Sequence, residues 1–359
     1  KDFLPVTTIK NNVYFFNYRE RFTIGKNSKK NSRNLVTGIK LLRDYATVLK
    51  HYSHILLENK SIQQNNILPV YACFTTEDIH SIRKFNKDKF KTYVQKPSFG
   101  YYECYDCRGL FECWIKRLLV LKEAQRGDEE INTVRNAIID ALGPKGCDII
   151  NGMDIRHNEG KVYFLFVDGR ESEATLLSDG YRRLVNIVMD IAFRCALLNK
   201  SMFGDQCYKY THGTVIIDEI DEHLHPALQI RVLKALQDTF PKIQFIVSTH
   251  APLVMSSLEP RKDENGNDIN VVYKLEYSDG KYSHKELNIY GMDASTIIET
   301  YMGQPSRDLK VNTDIKTILE LIDKDDIQTA RKLLKELEQN VAGGDPELTR
   351  MEALISFME

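Results

Sequence analysis

Residues 213–226 read GTVIIDEIDEHLHP. Thr214 to Ile217 are β-prone and mostly apolar, which is typical of a strand buried on both faces in the middle of a parallel sheet. Two carboxylates, Asp218 and Glu219, follow at the C-terminal end of this strand. Because open α/β sheets bind their ligands at that end, the stretch predicts both a fold class and the position of a site.

The two carboxylates have a plain chemical use. Mg²⁺ prefers one or two carboxylates together with phosphate oxygens, so Asp218 is a candidate metal ligand. The adjacent Glu219 is a candidate general base that polarises the water attacking a γ-phosphate. For the dipeptide by itself, a strand ending in two solvated acids is the simpler interpretation, and two further stretches change that balance.

The first of these stretches is IQFIVSTHAP, residues 243–252. It predicts a second short apolar strand, which ends in Ser-Thr-His. A neighbouring parallel strand would bring His250 close to Asp218 and Glu219, where its imidazole can donate to a γ-phosphate. A single histidine after a strand is more often structural, and that alternative stays open here.

The second stretch is LSDGYR, residues 177–182, which precedes a long amphipathic helix. Ser178 and the backbone N–H groups at the start of that helix form a candidate anion site. We expect the basic start of the helix, Arg182 and Arg183, to lie near the bound phosphate. The alternative for Leu-Ser-Asp-Gly is an ordinary helix N-cap.

The order LSDG, helix, VIIDE and IVSTH resembles the nucleotide-binding domains of ABC-type ATPases of the RecF/Rad50-like branch. Three stretches are similar to the ATPase subunits of Septu anti-phage defence and their retron-linked relatives: LLSDGYRRLVNIVMDIAFRCALLN, GTVIIDEIDEHLHPALQIRVLKALQDTFPKIQFIVSTHAPLV and IYGMDASTIIETYMG. The resemblance is strong over residues 176–258 and looser on both sides.

The resemblance implies an α/β fold with an ABC-ATPase-like core. That core has a parallel sheet with helices and an antiparallel β side sheet, with an inserted helical lobe and C-terminal helices. We expect an ATPase domain over residues 1–290, its helical lobe around 105–145, and a C-terminal helical region over 291–359.

The same resemblance implies that ATP and Mg²⁺ are bound between two subunits. Asp218 would hold Mg²⁺, and Glu219 and His250 would be catalytic. The residues implied to bind nucleotide are Ser178, Asp179, Gly180 and Asp221, with Ser178 and Gly180 meeting ATP bound to the other subunit. Asp221, His223 and His225 form a D-x-H-x-H pattern that suggests a metal cluster, but the resemblance assigns this loop to the D-loop at a dimer interface.

Partners follow from the resemblance as well. They are a second copy of the chain in a dimer or larger homo-oligomer, a partner HNH nuclease, PtuB, and DNA reached through that complex. Two alternatives remain: a RecF-like DNA-repair ATPase and a non-hydrolysing scaffold that binds ATP.

Composition excludes several classes of protein. The 359 residues carry a net charge of −1, so any contact with nucleic acid must be a local patch. No apolar run approaches the roughly 20 residues of a membrane helix, and no stretch has the pattern of a signal peptide. An odd number of cysteines, seven, suits a reducing cytoplasm. Cys104 and Cys107 form a CxxC for which free thiols are favoured over a zinc site.

The printed sequence contains no G-x-x-x-x-G-K-[ST] motif, the glycine-rich loop that cradles a β-phosphate. Because the family carries this P-loop near its N-terminus, we expect the chain to start after it, to bind ATP weakly and to be inactive alone. Residues 83–96 interleave lysine and arginine with aromatic residues, which suits a nucleic-acid backbone. A solvated loop over the core is the alternative.

Overall fold

The computed structural model describes residues 67–76, 90, 95, 97–105 and 110–358, apart from 263, 267, 279 and 342. The strands expected within residues 12–24 and the helix expected over 35–57 lie outside these ranges, as does most of the basic stretch 83–96. Phe90, which is described, is buried and packs edge-on against Trp114 with ring centroids 5.3 Å apart. This aromatic residue therefore belongs to the core.

Helices and strands are mixed along the chain, as expected for an α/β fold. In chain order they are β1 (Val70–Phe74), α1 (Phe111–Glu123), α2 (Asp128–Leu142), β2 (Ile150–Arg156), β3 (Lys161–Phe166), β4 (Glu171–Glu173), α3 (Asp179–Phe203), α4 (Cys207–Tyr210), β5 (Gly213–Ile217), α5 (Pro226–Gln229), α6 (Val232–Thr239), β6 (Ile243–Val247), α7 (Pro252–Ser256), β7 (Val272–Ser278), β8 (Lys281–Leu287), α8 (Ala294–Thr296), α9 (Leu309–Asp323), α10 (Ile327–Glu338) and α11 (Pro346–Met358).

The chain forms two compact units. The first comprises the residues up to Leu224 together with Ala235–Ser248, and the second comprises His225–Lys234 together with Thr249–Glu359. The domain boundary expected at residue 290 stays a prediction.

The parallel sheet of the first unit has the strand order β1-β5-β6, with Phe74 opposite Ile217 and Ile217 opposite Val247. The strands predicted around VIIDE and IVSTH are therefore confirmed as parallel neighbours. One expectation was wrong: β5 is not buried on both faces. Val215 and Ile217 are fully buried, but Ile216 is 41% exposed, because successive side chains of a strand point to opposite faces.

An antiparallel sheet, β2-β3-β4, lies in the same unit and confirms the expected side sheet. Its last strand is shorter than predicted. The sequence predicts a strand from Glu173 to Leu177 that leads to Ser178, but β4 ends at Glu173 and residues 174–176 form a 3₁₀ turn. This turn carries the chain to Ser178.

Helix α3 is the centre of the first unit, and every residue from Arg183 to Asn199 is buried. The two helices expected between residues 105 and 145 are α1 and α2. Trp114 of α1 stacks on Phe193 of α3 with centroids 4.7 Å apart, and its indole N–H donates to the Asp190 carboxylate over 2.6 Å. These contacts fix α3, which begins within the Leu-Ser-Asp-Gly stretch at Asp179.

The second unit contains β7 paired with β8, where the sequence predicts a hairpin-like pair from Val271 to Tyr277 and from Lys281 to Leu287. It also contains the predicted C-terminal helices α9, α10 and α11. These three helices share a core that includes Ile318, Leu334 and Met351. Because proline suits the first turn of a helix, the sequence predicts one helix from Pro226 to about Phe240. The structure has two helices there, α5 and α6. The two helices are separated by a tight turn, in which the Arg231 N–H donates to the Leu228 carbonyl three residues back.

In the part of the chain that the structure describes, each helix is too short or too polar to span a membrane.

Candidate functional site

The candidate site lies where the chain leaves β5, the central strand of the parallel sheet. Asp218 and Glu219 follow this strand directly, and the Asp218 N–H still donates to the Phe74 carbonyl of β1 over 2.8 Å. Asp218 is exposed and Glu219 is half-buried. The two carboxylates therefore stand at the C-terminal edge of the sheet, which is the place that the sequence predicted.

Ser248 ties these two residues to the neighbouring strand β6. Its hydroxyl donates to Asp218 Oδ1 over 2.5 Å and accepts from the Glu219 N–H over 2.8 Å. Its backbone also pairs on both sides, donating to the Ile217 carbonyl and accepting from the Ile220 N–H. Sequence reasoning singled out His250 in this stretch and assigned no role to Ser248. Its position could have indicated a role, because Ser248 follows β6 directly, as Asp218 follows β5.

Glu219 and His223 adopt a left-handed backbone, with φ of 48° and 60°. Side chains other than glycine rarely take this conformation, because Cβ then crowds the following carbonyl. Two hydrogen bonds hold the loop: the Glu222 N–H donates to the Glu219 carbonyl over 2.9 Å, and the Leu224 N–H to the Asp221 carbonyl over 3.0 Å. Backbone strain of this kind concentrates at functional sites.

Ser178 occupies the N-cap position of α3, and both Ser178 and Asp179 are exposed. Its side chain makes no capping hydrogen bond within the described residues, although N-cap serines commonly do so. The first backbone N–H groups of a helix lack intrahelical partners and favour anions. An exposed hydroxyl beside such groups is compatible with an oxyanion ligand, and the choice between that role and an ordinary N-cap stays a prediction.

Gly180 brings the start of α3 against the loop that follows β5. A Cβ added at this glycine would lie 2.3 Å from the His223 carbonyl oxygen, a distance that a real side chain cannot occupy. Only glycine permits this approach. The structure therefore brings the Leu-Ser-Asp-Gly stretch together with the loop that carries Asp221.

Arg182 and Arg183 do not behave as expected. We predicted both near a bound phosphate, but Arg183 is buried, and its guanidinium bonds to the Asp218 carbonyl oxygen and the Glu222 carboxylate. The Arg182 guanidinium lies over the Phe111 ring, 5.0 Å from its centroid. Helix periodicity explains this, since position 183 falls on the inward face of α3 and position 182 beside α1.

His250 is exposed and belongs to the second unit, so its predicted contact with a γ-phosphate stays a prediction. The two residues that flank it bond to each other: the Thr249 hydroxyl accepts from the Ala251 N–H over 3.1 Å. His225 also has a local role, because its Nδ1 accepts from the Ala227 N–H at the start of α5. Among residues with described placement, no group of three or more His, Cys, Asp and Glu could hold a metal ion.

The cysteines divide into two kinds. Cys104 is buried and free, and burial raises the pKa of its thiol, whereas Cys107 lies outside the described residues. Cys73 of β1 is disulfide-bonded, contrary to the expectation that the cysteines of a cytoplasmic chain are reduced.

Residues 51–256 match the sequence profile of the family described as "AAA domain, putative AbiEii toxin, Type IV TA system". This match covers more than half of the chain and contains the LSDG, VIIDE and IVSTH stretches. The chain therefore belongs to that family, and its core is an ATPase-type domain.

Individual relatives confirm the resemblance to the Septu and retron-linked ATPases. The chain is 40% identical over 108 residues to the "Retron Vc95 probable ATPase" of Vibrio cholerae serotype O1 biovar El Tor, which is 30% of this chain and 20% of that protein. It is 36% identical over 131 residues to "Septu protein PtuA" of Bacillus mycoides (strain KBAB4), which is 36% of this chain and 17% of that one. The chain thus spans a fifth or less of the length of these relatives.

One solved structure is also similar to the chain. It comes from "Structural biochemistry of ATP-driven dimerization and DNA stimulated activation of SMC ATPases" and covers 50% of this chain and 94% of its own. At 14% identity and a TM-score of 0.34, this likeness is too distant to bear on function.

Proposed function

We propose that the complete natural protein is a cytoplasmic ATPase subunit of an anti-phage defence complex. It binds ATP and Mg²⁺ between two subunits of a homo-oligomer and controls a partner HNH nuclease, PtuB, that acts on DNA. The names of the similar Septu and retron proteins support the defence role. The partner and the shared nucleotide site rest on the resemblance of the LSDG, VIIDE and IVSTH stretches.

One observation carries the proposal: two carboxylates of unequal exposure at the C-terminal edge of the central strand, held there by Ser248. Asp218 suits Mg²⁺, because only its Oδ1 is bonded within the described residues and its side chain is exposed. When bound, the ion would neutralise charge on the phosphates.

The remaining residues have separate roles. Glu219, whose backbone is left-handed, would take a proton from the attacking water. His250 would donate to the γ-phosphate. Four residues would face ATP at the interface with the other subunit: Ser178, Asp179, Gly180 and Asp221.

The Ser178 hydroxyl is exposed and makes no capping hydrogen bond within the described residues, which supports a site completed by a second subunit. Complementation tests this directly. Ser178→Arg blocks the nucleotide contact by its bulk, and Glu219→Gln removes the base, so each variant alone should lose turnover by a factor on the order of 10². A mixed dimer of the two has one site with both defects and one site with neither. ATP hydrolysis should then recover to about half of the wild-type rate if the sites act independently.

The matched control mixes Ser178→Arg with the double variant Ser178→Arg/Glu219→Gln. Each site in that dimer contains at least one defect, so hydrolysis should stay absent. Failure of the first mixture to recover, with mixed dimers verified by two different affinity tags, would exclude the shared site. A wild-type protein that binds but does not hydrolyse ATP would instead support the scaffold alternative.

A further inference from the structure

A buried arginine joins α3 to the loop after β5. Arg183 is only 2% exposed, and its guanidinium donates to the Asp218 carbonyl oxygen over 2.5 Å and to the Glu222 carboxylate. Its Nε is buried and has no hydrogen-bond partner within the described residues. A buried charge is costly unless it is paired, so these two bonds confine the guanidinium to this place.

The two partners of Arg183 flank the predicted base. Asp218 precedes Glu219, and Glu222 ends the turn that Glu219 begins, since the Glu222 N–H donates to the Glu219 carbonyl. The guanidinium therefore holds both ends of the short segment in which Glu219 adopts its left-handed backbone. A planar fork of donors suits this task, because it can bond to two acceptors at once in fixed geometry.

We infer that Arg183 is a positioning residue for Glu219. Arg183 fixes residues 218 and 222 to α3 and thereby orients the Glu219 carboxylate. The helix that provides this anchor, α3, is the one that begins beside Ser178. This inference rests on the proposed ATPase function. It requires that loss of the fork misplaces the base while leaving the nucleotide contacts intact, so the effect falls on kcat and not on KM.

Helix α3 contains a matched control for this role. Arg194 is also 2% exposed, and it bonds to the Asp190 carboxylate and to the carbonyl oxygens of Gly100 and Tyr102, at 2.9 and 3.0 Å. Like Arg183, Arg194 is a buried guanidinium that bonds to one carboxylate and to at least one backbone carbonyl oxygen. None of the partners of Arg194 belongs to the loop after β5. A purely structural effect of losing a buried guanidinium should appear equally at both positions.

The experiment compares Arg183→Lys with Arg194→Lys in the complete chain, below the melting temperature of both variants. Lysine keeps the charge but cannot reproduce the fork. We expect Arg183→Lys to lower kcat for ATP hydrolysis about tenfold or more, with KM within about twofold of wild type. Arg194→Lys should lose thermal stability to a similar degree and keep its kcat.

A second pair of variants covers the case in which Arg183→Lys does not fold. The Glu222 side chain is 25% exposed, so truncation there is better tolerated. Glu222→Ala should lower kcat in the same selective manner, and Glu222→Gln, which keeps an acceptor for the guanidinium, should restore most of it. Equal losses of kcat at positions 183 and 194, or full activity in Glu222→Ala, would overturn the inference.

The outcomes also separate this inference from the proposed function. Absence of ATP hydrolysis in the complete wild-type protein would remove the proposed function and the role of Arg183 with it. Hydrolysis that is intact in wild type and unchanged in both Arg183→Lys and Glu222→Ala would remove only the role of Arg183.

Discussion

The loop after β5, residues 218–224, and the C-terminal helices α9–α11 are built in opposite ways. The helices are held by an apolar core and by caps from nearby residues, such as Asp308 bonding to the Lys310 N–H two positions on. The loop is held by polar groups far away in sequence, the Ser248 hydroxyl and the Arg183 guanidinium. Core packing spreads stability over many contacts. The loop also buries Ile220 and Leu224, but the placement of its carboxylates depends on a few polar bonds. We therefore expect single changes in the loop to affect function and single changes in the helices to affect stability.

Backbone conformation shows the same contrast. Asp325 has a φ of 61°, and it lies just after the end of α9, where a short polar side chain tolerates the left-handed region. Glu219 and His223 share this conformation without ending a helix. Their strain is sustained by the bonds around them.

The largest expected effect tests the contact between α3 and the loop. Gly180→Ala would place a methyl group against the His223 carbonyl oxygen, so the helix start and the loop must separate. A displacement of this kind should lower ATP turnover by a factor on the order of 10². Gly343→Ala is the control, because an added Cβ there meets no atom within 4 Å. Steady-state hydrolysis and melting temperature should be measured for both, and full turnover in Gly180→Ala would show that the contact is unnecessary.

A smaller effect is expected at Ser248. Ser248→Ala removes the bonds to Asp218 Oδ1 and to the Glu219 N–H, so both carboxylates lose a fixed orientation. Turnover should fall about tenfold. Thr313→Ala removes a hydroxyl bond within α9, to the Leu309 carbonyl, and should leave turnover unchanged. If the two variants have the same kcat, Ser248 does not orient the site.

The smallest expected effect lies in the C-terminal helices and depends on pH. The Arg307 guanidinium bonds to Asp345 and holds the pKa of that carboxyl below its usual value. Because the folded-state pKa is lowered, the ionised carboxylate stabilises the protein at pH values above the ordinary aspartate pKa of about 3.9. This stabilisation is lost as the pH falls below that value and the carboxylate is protonated. Asp345→Asn should therefore destabilise α11 by about 0.5 kcal/mol at pH 7, with little difference from wild type near pH 2.

Amide hydrogen exchange in α11, converted to free energies of opening, measures this difference. Asparagine keeps the N-cap acceptor for the Leu348 N–H, so the comparison isolates the ion pair. ATP turnover should be the same in both proteins. A difference in opening free energy that stays constant between pH 7 and pH 2 would assign it to the cap instead.

Local patterns predicted much of this molecule. Alternation, helical period and capping residues located β5, β6, α3 and the C-terminal helices, and the end of β5 located Asp218 and Glu219. These features depend on neighbours in sequence or on a general rule about parallel sheets.

What the sequence did not predict depends on residues that are distant along the chain. The Arg183 side chain was expected at a phosphate and is buried, because the acceptors at Asp218 and Glu222 lie within its reach only after folding. Ser248 received no role for the same reason. The exposure of Ile216 was missed because a run of apolar residues does not reveal whether both faces of the sheet are covered.

The left-handed backbone of Glu219 implies a trade-off between thermal stability and the proposed activity. An L-residue in this conformation costs about 1–2 kcal/mol, and glycine adopts it without that cost. Selection for thermal resistance alone would therefore favour glycine or asparagine at position 219 and discard the carboxylate. A consensus drawn from inactive or stabilised homologues would misjudge this position in the same direction, because the residue proposed as the base is the one that the backbone conformation disfavours.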